Sequence, residues 1–222
     1  MPARHPLRRL RAALLASLGC LGCTALPLPA TARDNAVWNF QVLLDGKPIG
    51  THVFRVQGPA TERTVTSEAA FDVKLLGLTV YRYRHQARER WAGDCLAELD
   101  AQTEDGSDST RIRARMEEGA LLVESAGSPQ RLPGCVMGFA YWNPAMRQQT
   151  QLLDPQSGRL ERVRIREAEA GTVQAGGRTL PAQRWHIEGP ASPITLWYGS
   201  DGRWLGLDAQ LQGGRQLRYR LP

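Results

Sequence analysis

Thr79-Val80-Tyr81-Arg82-Tyr83-Arg84-His85-Gln86-Ala87-Arg88-Glu89-Arg90-Trp91 changes character at almost every residue. One set of positions carries Tyr81, Tyr83, His85, Ala87, Glu89 and Trp91; the other carries Arg82, Arg84, Gln86, Arg88 and Arg90. A period of two marks a β-strand, whose successive side chains point to opposite faces. The stretch reads as a strand with a wet arginine face and a mostly buried aromatic face, as in an antiparallel sheet covered on one side.

The same alternation spreads outward in both directions. Trp38, Phe40, Val42 and Leu44 alternate with other residues, and Asp45-Gly46 then turns the chain into a strand over Ile49 to Gln57. Thr64 to Val73 continues the pattern. Shorter strands are expected at Leu96 to Thr103, Arg111 to Glu117, Leu121 to Ser125, Glu161 to Glu167 and Gln183 to Glu188. The chain closes as a meander: Ile194 to Tyr198, a turn at Ser200-Asp201-Gly202, Trp204 to Leu211, a turn at Gly213-Gly214, then Gln216 to Leu221. Only Pro144 to Thr150 reads as helical, with Asn143 as N-cap and proline at the first helical position. About a dozen strands predict an all-β fold, a single antiparallel barrel or a strongly curled half-barrel with one short helix.

The first residues bear on compartment. Arg4, Arg8, Arg9 and Arg11 precede an apolar run from Ala12 to Ala25, and Ala30-Thr31-Ala32 supplies small residues at a cleavage position. The expectation is a signal peptide over residues 1–32, cleaved after Ala32, and a single β-rich domain over residues 33–222, periplasmic or secreted. Cys20 and Cys23 each follow glycine, but Ser17 and Cys20 stand where a lipid-attachment signal wants leucine, so lipidation is the weaker reading. Four of the 28 Lys and Arg residues belong to the leader, which leaves 24 against 22 acidic residues in the mature chain. That balance gives no electrostatic footprint for nucleic acid.

Cys95 and Cys135 are the two cysteines beyond the leader. An even number in an oxidising compartment fits a disulfide, with two buried free thiols as the alternative; no Cys-x-x-Cys favours a redox pair. His52, His85 and His186 show no ligand spacing with them, so no metal site and no cofactor is expected. A nucleophile elbow, a phosphate loop and a zinc-binding helix are all missing from the sequence, which points away from an enzyme. Glu104-Asp105-Gly106-Ser107-Asp108 reads as an exposed hairpin loop, without the length or terminal glutamate of a calcium loop.

Two groups remain as candidate ligand-lining residues. Tyr81, Tyr83, His85 and Glu89 share the inward face of the opening stretch. His85 and Glu89 lie four residues apart, roughly 13 Å along a strand, so they do not touch. An inward glutamate needs a partner, and the expected one is an arginine from a neighbouring strand or solvent at the strand end. Tyr141 and Trp142 form the second group, inside the charge-free run from Pro133 to Pro144 that also holds Cys135. Such aromatics either close one end of a barrel by packing or line an apolar cavity.

Several blocks together carry a resemblance. Trp38-Asn39-Phe40 with Leu44-Asp45-Gly46-Lys47-Pro48-Ile49-Gly50, then Gly93-Asp94-Cys95-Leu96, Cys135-Val136-Met137 through Phe139-Ala140-Tyr141-Trp142-Asn143-Pro144, and Leu152-Leu153-Asp154 with Gly158 resemble domain-of-unknown-function family 6134. Ile194-Thr195-Leu196-Trp197-Tyr198 and Trp204-Leu205-Gly206-Leu207 are similar to its closing hairpin. The resemblance implies an exported, antiparallel β-rich domain and brings no activity. Both cysteines fall in matching blocks, which strengthens the disulfide reading. The functional expectation is a periplasmic protein that binds or carries an apolar or lipid-like ligand. The alternative is an envelope accessory protein with a filled barrel, partnered through its surface; a hydrolase with a non-local site comes third.

Overall fold

The computed structural model describes residues 35–222, so the expected leader over residues 1–32 and its expected cleavage after Ala32 lie outside the described residues. Fifteen strands follow in order: β1 (Asn35–Leu44), β2 (Lys47–Gln57), β3 (Glu62–Leu75), β4 (Leu78–Ala92), β5 (Cys95–Asp105), β6 (Asp108–Glu117), β7 (Ala120–Glu124), β8 (Gln130–Pro133), β9 (Gln151–Leu153), β10 (Leu160–Arg162), β11 (Arg164–Ala175), β12 (Arg178–Glu188), β13 (Ile194–Tyr198), β14 (Trp204–Gln210) and β15 (Gln216–Arg220). Thirteen form one antiparallel sheet in the order β11-β12-β13-β14-β15-β1-β2-β3-β4-β5-β6-β7-β8, while β9 and β10 pair with each other. The sheet is not closed: its edges are β8 and β11. Two meanders meet in the middle, where Gln41 to Leu44 of β1 pair with Arg220 to Leu217 of β15.

Alternation decides the faces. Trp38, Phe40, Val42 and Leu44 are buried along β1 at 7 % exposure or less, and Trp91, Leu99, Ala101, Ile112, Leu121, Leu196 and Trp204 join them in one core. One face of the sheet is covered by the run between β8 and β11, residues 134–163. Met146, Leu152 and Leu153 from that run enter the same core. Its backbone is tied down by Leu96 N donating to Val136 O at 2.8 Å, Leu153 N to Met137 O at 2.9 Å and Val163 N to Thr150 O at 2.9 Å.

Several sequence expectations change here. The helical segment is a 3₁₀ turn, Pro144–Gln148, with Asn143 accepting from Ala145 N as its cap. Leu152 and Leu153 belong to β9. The expected strand at Glu161 to Glu167 is broken at the buried Val163 into β10 and the start of β11, so the inward side chain there belongs to neither ladder. Strand β11 runs on to Ala175 and turns through Gly176-Gly177, both at positive φ, into β12, which begins five residues earlier than the expected Gln183. Edge strand β8 pairs with β7 but holds only one apolar residue besides its terminal proline, Leu132, and so leaves no alternation to read.

Candidate functional site

Register builds the most polar part of the interior. Asp45 and Gly46, at φ 51° and 79°, make a two-residue hairpin turn that pairs Leu44 with Lys47 and Leu43 with Pro48. Between Leu43 and Val42 the register shifts, so that Val42 faces Gly50 and Phe40 faces His52. This β-bulge inserts one residue and reverses the parity of everything beyond it. His52 consequently stands on the inward face beside Phe40 rather than outside. Gly50 is required at the same place, since a Cβ there would lie 1.9 Å from the Ala70 carbonyl oxygen.

From His52 a row of directly opposed residues crosses the sheet: Ala69 on β3, His85 on β4 and Thr103 on β5. His52 Nε2 and Ser67 Oγ share a hydrogen bond at 2.7 Å, His52 Nδ1 lies 3.3 Å from the Tyr219 hydroxyl, and His85 Nδ1 lies 2.8 Å from Thr103 Oγ1. The two imidazoles are 6.4 Å apart, and His52 stacks on Phe54 at 4.0 Å. Tyr83 stacks on Phe71 at 5.1 Å just beyond them. Burial drives the His52 pKa down to about 3, helped by His85; burial also lowers His85 to about 4, partly countered by the charge of Asp154. Both rings are neutral at physiological pH.

A serine 2.7 Å from a histidine is half of a hydrolytic triad. Here the second ring nitrogen faces a tyrosine hydroxyl, not a carboxylate, and Ser67 is buried among Phe54, Ala87 and their neighbours. The arrangement satisfies polar groups inside an apolar face. Among the described residues no group of three His, Cys, Asp or Glu side chains gathers as a metal site.

The six expected ligand-lining residues do not share one place. Tyr83 and His85 belong to the row above. Tyr81 stands at its outer end, 40 % exposed, and donates to Asp105. Glu89 lies toward the opposite end of β4, where its partner is not an arginine: Trp91 Nε1 donates to its carboxylate at 2.7 Å. That indole reaches back two residues along its own strand and supplies the missing hydrogen bond, while burial raises the Glu89 pKa to about 7. Trp142 packs edge-on against Trp91 at 5.3 Å, with the Arg63 guanidinium 5.3 Å over its ring. Tyr141 sits between the two ends, 5.2 Å from Trp204, its carbonyl accepting from the Tyr198 hydroxyl at 2.7 Å.

Cys95 and Cys135 are bridged. The bridge joins β5 to the start of the covering run, and Asn143 Nδ2 donating to Asp94 Oδ1 at 2.9 Å pins the same corner. Two clefts stand out among the described residues, both open grooves along strands. One, of about 440 Å³, lies among Arg88, Arg90, Glu98, Asp100, Arg113 and Arg115. The other, of about 690 Å³, lies among His186, Thr195, Asp208, Gln210, Gln216 and Arg218. Neither includes the histidine row or the tryptophans.

Sequence reasoning missed His52, Ser67, Thr103 and Tyr219. The signal for His52 was the bulge, and Pro48-Ile49-Gly50 is where it declares itself: an imino acid without an N–H, then a residue that no side chain can replace.

The sequence model of the family described as "Domain of unknown function (DUF6134)" matches residues 40–222, and the chain belongs to that family. Among curated proteins none matches it. Among solved structures it is similar to one from Brucella abortus, titled a β-barrel-like protein of domain of unknown function DUF1849. The two share 14 % sequence identity at a TM-score of 0.59, over 85 % of this chain and 94 % of the other. That likeness is one of fold.

Proposed function

We propose that this member of the DUF6134 family is an exported envelope protein, built as a strongly curled half-barrel with a filled interior, that works through its surface. The observation that carries the reading is the packing of the covered face. Trp91, Met146 and Leu152 have no exposed area, and Trp204 and Leu153 retain 1 %. A carrier of an apolar ligand needs a cavity of roughly 300 Å³ or more in that position. The space is taken instead by residues 134–163, and small barrels commonly fill themselves in this way. The half-barrel reading is supported by the free edges β8 and β11 of the unclosed sheet. Export is supported by the leader and by a disulfide, which persists in oxidising compartments.

Native mass spectrometry of protein purified from its own envelope tests the proposal. The expected spectrum is the bare polypeptide, beginning near Arg33 and two hydrogens lighter than its reduced form. A lipid adduct recovered in repeated preparations, and diminished by Trp142→Ala, would hand the interior back to a ligand. An intact leader would overturn the export reading.

A further inference from the structure

Among the described residues the exposed large apolar side chains are Val37 and Met116, each alone, and a cluster at one hairpin. Leu75, Leu76, Leu78 and Val80 are 63, 95, 72 and 59 % exposed, and all four lie at the β3–β4 hairpin. Pairing of β3 with β2 ends at Phe71, and pairing of β4 with β5 ends at Tyr83. Beyond that line Gly106 N still donates to the Arg82 carbonyl at 2.9 Å and the Tyr81 hydroxyl to Asp105, but the ladder that continues is the one within the hairpin: Asp72 with Arg82, Val73 with Tyr81, Lys74 with Thr79, Leu75 with Leu78. From Val73 to Tyr81 a two-stranded ribbon therefore runs on roughly 10 Å, at about 3.3 Å per residue, in no ladder but its own.

Its turn carries a second, independent observation. Three hairpins use an X-Gly turn with X in the left-handed region: Asp45-Gly46 at φ 51° and 79°, Glu118-Gly119 at 50° and 75°, and Leu76-Gly77 at 50° and 84°. Short polar residues suit that conformation, and two of the three turns place an acid there. The third holds leucine, which fits the backbone worse and gains nothing from burial. Folding alone selects against it.

We propose that this ribbon docks on a lipid bilayer bearing anionic headgroups, its leucine apex entering the boundary between headgroups and acyl chains. The proposal rests on the surface-acting, exported reading above and names the partner. What favours a bilayer over a protein groove is the order of residues along the ribbon axis. Leu76 and the Leu75–Leu78 pair form the tip; Lys74, Thr79 and Val80 come next; Tyr81 follows at the depth where interfacial aromatics sit; Arg82 and Arg84, sharing Asp72, form the base. A groove distinguishes the faces of a ribbon, whereas a bilayer distinguishes depth. Lys74, the one charge between Val73 and Tyr81, supplies attraction to anionic headgroups. Four aliphatic side chains make a reversible contact, not an anchor.

The test is flotation of the leader-free, disulfide-bonded chain with phosphatidylcholine vesicles, with and without phosphatidylglycerol. The intact protein is expected to float, more completely with phosphatidylglycerol, and the triple variant Leu75→Ser/Leu76→Asn/Leu78→Ser to lose about tenfold in bound fraction while melting at the same temperature. A polarity-sensitive dye on Leu76→Cys is expected to shift to the blue on vesicles, and the same dye on Thr61→Cys, in the turn at the opposite end of β3, to stay put. An intact protein that floats with neither vesicle, a triple variant that floats as well as the parent, or an unshifted dye at position 76 each overturns the proposal. Those results leave the filled interior standing. Lipid that stays with the protein after the vesicles are removed would instead refute the filled interior.

Discussion

Strand β4 begins and ends in opposite circumstances. At Leu78 to Val80 it pairs with β3 alone and its apolar side chains are in water; at Trp91, thirteen residues after Leu78, it is fully enclosed. Both ends are apolar, so hydrophobicity does not separate them. Neighbours do: Trp91 has Trp142, Glu89 and the disulfide corner around it, whereas Leu78, paired with Leu75 across the ribbon, is 72 % exposed. An apolar residue with no partner inside its own chain reports on what lies outside it.

Breaking the enclosed end gives the largest effects. Trp91→Ala removes a fully buried ring and the donor to Glu89, and is expected to cost about 3–5 kcal/mol by urea unfolding. A loss below 1 kcal/mol would mean the corner is loosely packed. Reducing Cys95–Cys135 opens a loop of 40 residues and is expected to cost on the order of 3–4 kcal/mol, read as a lowered unfolding midpoint in reductant.

A pH series sharpens the same contrast. Glu89 has a folded pKa near 7 against 4.5 for an ordinary glutamate, so its contribution to stability is complete below about pH 4.5 and lost as pH rises through 7. His52 and His85 act in the opposite sense: neutral in the fold, they favour it above 6.5 and cease to do so as pH falls toward 4. Glu89→Gln should therefore remove the loss that accrues between about pH 4.5 and 7, a gain relative to the parent on the order of 3 kcal/mol at pH 9. Identical pH profiles for the two proteins would show that Glu89 is solvated. The exposed end gives the smallest change. Leu76→Asn is expected to leave the melting temperature unchanged or raise stability by about 0.5 kcal/mol, since asparagine suits the left-handed turn. A clear loss would assign Leu76 a packing partner within the fold.

The strand pattern was legible where one face is buried and the other is wet. Trp38 to Leu44 with Asp45-Gly46 announces a hairpin, and the Tyr-Arg alternation of β4 announces its two faces. Legibility failed where burial is weak. Along β11, Ala168-Glu169-Ala170-Gly171 straddles a register shift against β12, and Pro181 interrupts the partner strand, so neither displays an alternating face. The polar row was hidden for another reason. A glutamate or a histidine can be placed on a face by counting, but His52 changes face through one extra residue at the bulge, and only the pairing reveals it.

The seam between β1 and β15 has a consequence for how the protein is made. Almost every other pairing joins strands adjacent in sequence and can form as the chain lengthens. At the seam, Gln41 must meet Arg220. The first strand of the described chain therefore waits, with one edge unpaired, until Gln216 to Arg220 have been synthesised. During that interval β1 presents an open edge of the kind that invites pairing with another chain.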